Sequence, residues 1–213
     1  MIIDFQQQQP SNGYHIMTQT IIPRPIAWVL SENSTELATN ADSNENHRYN
    51  LATFSFFNAV CSDPPLLMLS IGKKSDNTPK DTRENLLSGR DFVVHIANVS
   101  QADVLSQSSA EYVYGESEVS ASQLALVDFP GSPVPRLQDC SVAYHCKLYD
   151  SHTIGPNEQA IIYAEICHLY IDDAVIEEKN NRFIIDAQAI NPLLRLGANQ
   201  YASMGEPFSL KRP

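Results

Sequence analysis

Ser141-Val142-Ala143-Tyr144-His145-Cys146-Lys147-Leu148-Tyr149 carries the pattern that decides the fold. Val142, Tyr144, Cys146 and Leu148 alternate with Ala143, His145, Lys147 and Tyr149, the period of two that sends successive side chains to opposite faces of a strand. Ala160 to Ile171 alternates in the same way over a longer span. Leu66-Leu67-Met68-Leu69-Ser70-Ile71 is a short apolar run and reads as a strand covered on both faces. Asp91 to Ala97 adds the β-formers Phe92-Val93-Val94-His95-Ile96. Ile21 to Leu30 adds another strand, whose Pro23 and Pro25 confine its start to a sheet edge or a bulge. Long alternating segments between turn signals predict a mainly β protein with a few short helices, an antiparallel barrel or sandwich.

The helices are signalled by their caps. Thr78-Pro79-Lys80-Asp81 supplies a Thr N-cap, Pro at the first helical position and Asp at the third, for a helix running to Leu87 and stopping near Gly89. Ser100 with Asp103 marks a second start, and Ser120 to Val127 reads as a weaker third helix. Residues 31–50 form a polar stretch rich in Asn, Ser, Glu and Asp, expected as a long hairpin loop inserted between two strands. Pro130, Gly131, Pro133 and Pro135 give residues 128–136 loop chemistry. No internal repeat is visible, and the chain is expected to form a single domain over 1–213.

Bulk properties narrow the function classes. At 43% hydrophobic and 18% charged residues, the composition is that of an ordinary globular protein. A formal charge of -11 argues against nucleic acid and anionic membranes as partners, because phosphate contacts need clustered Lys and Arg. No apolar run reaches the roughly 18 residues that span a bilayer. Met1 to Pro10 lacks a basic region followed by an apolar one, so a cytoplasmic location is expected. Cys61, Cys140, Cys146 and Cys167 contain no C-x-x-C pair. Their even number permits two disulfides, but free buried thiols suit a chain of this length better.

The few cations gather in one place. Lys73, Lys74, Lys80, Arg83 and Arg90 face only Asp76, Asp81 and Glu84 between Lys73 and Arg90, five positive charges against three negative. The helix start lies inside that window, and unpaired N–H groups at a helix N-terminus favour an anion. Lys80 would add a point charge, and Thr78 and Thr82 hydroxyl groups. The alternative is a well-capped surface helix with solvated charges. Asn50-Leu51-Ala52-Thr53-Phe54-Ser55-Phe56-Phe57-Asn58 mixes aromatic with small polar residues, suiting either a Phe-rich core strand or a strand beside a flat ligand. His145, His152 and Cys146 match no zinc spacing. Dinucleotide-fold and P-loop glycine motifs and the hydrolase nucleophile elbow are all missing.

Taken together, these blocks are recognisable. Pro23-Arg24-Pro25-Ile26-Ala27-Trp28-Val29 precedes Asn50 to Val60 and Asp63-Pro64-Pro65. Lys80-Asp81-Thr82 with Asn85 and Phe92-Val93-Val94-His95-Ile96 come next, and Arg195-Leu196-Gly197, Tyr201, Gly205 and Leu210-Lys211-Arg212-Pro213 close the chain. In this order they resemble the flavin reductase-like family of FMN-binding split-barrel proteins. The resemblance implies a Greek-key split β-barrel that dimerises and binds FMN near the subunit interface, with 190–213 as a C-terminal arm. It places the phosphate at Lys80, Asp81 and Thr82, where the helix start read above adds Thr78. It puts the ring beside Ala52, Thr53, Phe54 and Ser55, and the ribityl chain near Ser70, Ile71 and Gly72. Trp28, Arg195 and Tyr201 would be further flavin contacts. The loop at 31–50 departs from the family's compact hairpin. The activity implied is an oxidoreductase taking hydride from NAD(P)H and passing electrons on to an acceptor the resemblance does not specify, with a nicotinamide or a flavin as small-molecule substrate and no general base assigned. The alternatives are a non-enzymatic FMN electron carrier reduced by a protein partner, a pyridoxamine-phosphate-oxidase-like activity, and a cofactor-free interaction domain.

Overall fold

In a computed structural model that describes residues 1–33, 48–110, 112 and 117–211, the alternation becomes one curled antiparallel sheet. Its strands are β1 (Ala27–Glu32), β2 (Tyr49–Phe54), β3 (Phe57–Ser62), β4 (Pro65–Ile71) and β5 (Phe92–Ile96), completed by β8 (Val142–Ile154) and β9 (Gln159–Ile171). Between them, β6 (Leu126–Val127) pairs with β7 (Arg136–Leu137). The order across the sheet is β2-β1-β5-β8-β9-β4-β3. β2 and β3 are joined by Ser55 and Phe56 yet stand at opposite ends of that order, so the sheet rolls up and leaves a seam between them. This is the expected split barrel, mainly β and not closed.

Period-two patterning sorts the core. Ala27, Val29, Phe92, Val94, Leu67, Leu69, Ile71 and Ile162 fill the barrel, where Leu86 also packs. Trp28, Leu30, Leu51 and Val93 face outward, yet they are buried too, under Leu105, Val119, Phe129 and Leu137. That outer layer is built from α3 (Ala102–Gln107), α4 (Glu118–Ala121) and the loop to β7, whereas α2 (Asp81–Leu87) is the helix that sends Leu86 into the barrel. Three pieces lie outside the barrel: α1 (Pro10–Thr20), the hairpin of β10 (Ile176–Lys179) and β11 (Arg182–Ile185), and α5 (Ala187–Ile190). The last pair, β12 (Leu194–Arg195) and β13 (Tyr201–Ala202), forms the C-terminal arm.

Several expectations need correction. The strand expected from Ile21 begins at Ala27 and is central, flanked by β2 and β5; before it only Arg24 bridges to Arg195. The stretch 50–58 is two strands, because the chain turns at Ser55 and Phe56. Thr78 does not cap a helix: its N–H and hydroxyl both bond Asp76 Oδ1, and α2 starts two residues past Pro79 with Lys80 at the N-cap. Asn98, not Ser100, caps the segment leading to α3, in a capping box with Gln101. Residues 120–127 split into the end of α4 and β6. α1 was not anticipated, although Pro10 at its first position is a standard start signal. All four cysteines are free, but Cys61 and Cys167 are exposed. Of the polar loop at 31–50, residues 34–47 lie outside the described residues; its ends, Glu32 and Tyr49, pair across the hairpin.

His95 ties the outer layer to the sheet. Its Nδ1 lies 3.0 Å from Trp28 O, and its Nε2 accepts the Leu137 N–H at 2.9 Å, so the ring is neutral with the proton on Nδ1. Burial pushes its pKa down to about 4. The unfolded chain therefore takes up this proton near pH 6.5 and the folded one does not. Stability is complete above pH 6.5 and falls as the pH drops towards 4, by about 3 kcal/mol. The difference in urea stability between wild type and His95→Gln isolates this contribution: the variant should be the less stable at pH 7, and the gap should narrow by about 2–3 kcal/mol at pH 4.5. A gap that stays the same at both pH values would contradict it.

Candidate functional site

β2 is an edge strand, and its register fixes which of its backbone groups are left over. Asn33 N donates to Arg48 O, and Asn50, Ala52 and Phe54 stand opposite Ser31, Val29 and Ala27. Alternate residues of an edge strand turn their N–H and C=O away from the neighbour. Leu51 does so, and its N–H donates to Glu118 Oε2 at 2.8 Å; two residues earlier Ser117 Oγ donates to Tyr49 O at 2.5 Å. The start of α4 thus stands in for a missing strand at one end of β2. By the same period, the backbone groups of Thr53 also point away from β1. There the edge is not covered by α4 but opens into two hollows.

Each hollow has about 490 Å³ of open space, and they share Thr53, Phe54 and Ser109. The first is lined by Asn50, Ala52, Lys74, Lys80, Asp81, Thr82 and Glu118, among others. The five cations near it are sorted by partner. Lys73 pairs with Glu158 at 2.6 Å, Arg83 donates to Glu158 O, and Arg90 donates to Asn33 O. Lys74 Nζ lies 2.5 Å from Asp81 Oδ1, a charge contact off the hydrogen-bond direction. The Lys80 side chain has no hydrogen bond or ion pair among the described residues. Asn50 Nδ2 donates to Thr82 Oγ1 at 2.8 Å, which fixes that oxygen as an acceptor and leaves its proton to be donated. The first helical bond of α2 is Glu84 N to Lys80 O, so the amides of Asp81, Thr82 and Arg83 precede it.

The second hollow is bounded by Tyr14, Ser55, Arg195 and Tyr201, and among the described residues no acid lines it. The Arg195 guanidinium sits 4.5 Å from the centre of the Tyr201 ring and donates to Ala198 O. This end is assembled by Arg24, 7% exposed, which donates to Thr18 O, Ile21 O and Leu196 O and so ties α1 and the arm to the barrel. Gly197 completes the junction: a Cβ there would lie 2.9 Å from the Gln19 Cα.

Of the residues read from the sequence, Ala52, Thr53, Phe54, Lys80, Asp81 and Thr82 line the first hollow, and Thr53, Phe54, Ser55, Arg195 and Tyr201 the second. Trp28, Ser70, Ile71, Gly72 and Thr78 line neither. Trp28 is fully buried and its indole N–H donates to Ser108 Oγ at 2.9 Å, supporting the floor from behind. Ile71 is in the barrel core, while Ser70 and Gly72 lie under the Gln159 side chain. Glu118 and Tyr14 were missed, since nothing local marks them; Lys74 figures in the sequence only as one of the clustered cations, and Asn50 only in the mixed stretch 50–58. His145 instead meets His168 and Asp91: ring centres 5.3 Å apart, planes within 9° and an Nδ1–Nδ1 distance of 3.0 Å describe a coplanar, head-on hydrogen bond. Among the described residues no cluster of three or more His, Cys, Asp or Glu could hold a metal.

A split barrel with a cation-bearing cleft along an open strand edge defines a class, and the comparisons identify it. The flavin reductase like domain family matches residues 18–194, and the chain belongs to that family. The Bacillus subtilis protein YwrF, itself uncharacterised, is 31% identical, over all of this chain and 98% of its own length. Nitrilotriacetate monooxygenase component B from Bacillus cereus superposes with a TM-score of 0.84 at 26% identity, over 99% of this chain and 98% of that one. Pseudomonas fluorescens 2-nitrobenzoate 2-nitroreductase NbaA does so with a TM-score of 0.82 at 27% identity, over 100% and 96%. These likenesses support a flavin-related redox protein. Among the described residues no helix is long and apolar enough to cross a membrane.

Glu118 is the titratable anomaly of the cleft. Burial pushes its pKa up to about 7, against the pull of the Leu51 N–H; Asp81 nearby adds to the rise and Lys74 opposes it. Between pH 4.5 and 7 the unfolded chain has lost this proton and the folded one keeps it, so stability falls as pH rises through that window. Glu118→Gln keeps an acceptor for Leu51 and removes the penalty. It should be more stable than wild type by roughly 2–3 kcal/mol at pH 8 and about equal near pH 4.5. A stability difference that does not change with pH would refute this.

Proposed function

We propose that the chain is an FMN-dependent oxidoreductase, one split-barrel domain whose cleft holds the cofactor along the free edge of β2. The observation that carries this reading is the continuity of the two hollows through Thr53, Phe54 and Ser109. The residues present fit the group. Lys80, the Thr82 hydroxyl proton and the first amides of α2 suit a phosphate. Thr53 offers a backbone donor and acceptor to a flat, polar ring edge, with Ser55 beside it. Arg195 and Tyr201 close the far end with positive charge and an aromatic face.

When bound, FMN would supply the hydride chemistry, with NADH or NADPH as the donor. The protein's part is to orient and to place charge. Donors at Thr53 and Ser55, with Arg24 and Arg195 behind them, stabilise negative charge arriving at the ring end. No side chain has to act as a general base, and none is assigned. The redox names of both solved relatives support this class without fixing the acceptor. Four free thiols suit a reducing compartment such as the cytoplasm.

Dimerisation belongs to the same reading. Phe183, Ile184 and Ile185 on β11 and Phe5, Met17, Ile21 and Ile22 around α1 are exposed apolar side chains that a second copy would cover. Light scattering should give twice the chain mass; a monomer that retains FMN would refute it.

The purified protein should be yellow and should bleach when NADH or NADPH is added without oxygen. Bound flavin that neither nucleotide bleaches would favour the electron carrier reduced by a protein partner, and colourless protein that takes up no FMN would reject both. Lys80→Ala should weaken FMN binding by about 1–3 kcal/mol, read by fluorescence titration.

A further inference from the structure

The phosphate end of the cleft contains more acid than an anion site requires. Lys74, Lys80, Asp81 and Glu118 all line it. Asp81, 8% exposed, has Lys74 against it, while Glu118, 6% exposed, has no ion-pair partner among the described residues. Its bond is to the Leu51 amide, where it caps the edge of β2. That task needs an acceptor oxygen and no charge, so a neutral carboxyl performs it as well as a carboxylate.

Protonation decides the charge that a ligand meets. Among the described residues, with Glu118 neutral, the two lysines outweigh Asp81 and the hollow is net positive by one. With Glu118 ionised the balance is zero, and a buried carboxylate faces the incoming anion at low dielectric. The groups around it are few. α2 and the segment before it present Asp81, Lys80 and Lys74, and β2 presents the Leu51 amide and the Asn50 side chain; Tyr112 lies on the same wall. Among the described residues no histidine or cysteine lines the hollow.

We propose that Glu118 governs the retention of phosphorylated flavin: protonated, it lets the cleft hold FMN, and ionised, it loosens FMN while leaving the phosphate-free flavin unaffected. This rests on the FMN reading above. Burial beside Asp81 keeps Glu118 protonated up to about pH 7, so the change falls in the neutral range. The cleft would then shift between a held cofactor and an exchangeable one as pH rises.

The test is fluorescence titration of the full-length apoprotein with FMN and with riboflavin at pH 6.5, 7.5 and 8.5. For wild type, FMN affinity should fall about tenfold from pH 6.5 to 8.5 while riboflavin affinity changes less than about twofold. FMN's own second phosphate ionisation, near pH 6, acts with the opposite sign and cannot imitate this. Glu118→Gln should bind FMN with little pH dependence. An FMN affinity in wild type that is flat with pH, a slope shared by riboflavin, or a slope retained in Glu118→Gln would each overturn the proposal. The two flavins on wild type suffice if the variant folds poorly. Binding of neither flavin at any pH would bring down the FMN reading itself, whereas flavin bound without the slope overturns this proposal alone.

Discussion

An edge strand inside a folded chain has to find partners for half of its backbone groups, and in this protein that constraint falls on β2. The sheet cannot supply them, because the next strand in sequence, β3, is placed at the other end of the strand order. The molecule resolves the two ends of β2 differently. At Tyr49 and Leu51, α4 brings a hydroxyl and a carboxyl to the open edge. At Thr53 the edge gives onto the cleft. Covering and exposing the same strand within a few residues creates a place where a flat ligand with donors and acceptors on its rim can complete the sheet.

Charge is arranged around that opening with the same economy. A chain of net charge -11 has few cations to spare, and most of those in the Lys73–Arg90 window are already engaged with Glu158, Asp81 or a carbonyl. Lys80 is the one that lines the cleft without a partner among the described residues. Arg24 shows the complementary use. Buried among carbonyl acceptors and without a carboxylate, it holds three separate segments and leaves its positive charge close to Ser55, 3.4 Å from its Nε. Its pKa is lowered by burial, with Tyr14 opposing and Arg195 reinforcing.

What could be read in the sequence and what could not divides along the same line. Strands were legible wherever a period of two persisted, as in Val142 to Leu148, because burial on one face imposes it directly. The Lys80-Asp81-Thr82 block was legible because its residues are neighbours in the chain. Thr78 misled because Asp76, two residues earlier, competes for both its N–H and its hydroxyl in a local turn. The turn at Ser55 and Phe56 was hidden because Ser55, although a residue that turns favour, stands alone between Phe54 and Phe56-Phe57 with no Gly, Pro, Asn or Asp beside it. Glu118 was out of reach: its function depends on Leu51, 67 residues away, and on burial that no local pattern encodes.

The two ends of the cleft therefore differ in kind. The phosphate end is mostly local, made from the edge of β2 and the first turn of α2. The other end is assembled from the two ends of the chain, Tyr14 on α1 and Arg195 and Tyr201 on the arm, held together by Arg24 and by the close passage of Gly197 over Gln19. Substitution in α1 or the arm can reshape the second hollow without touching Lys80 or Thr82, which line the first hollow and not the second. On the FMN reading proposed above, such a division would let the end next to Lys80 stay fixed while the end built from α1 and the arm is altered. It also explains why a cofactor can be argued from this sequence with more force than an electron acceptor: the grip is encoded in consecutive residues, and the choice of partner in contacts between distant ones.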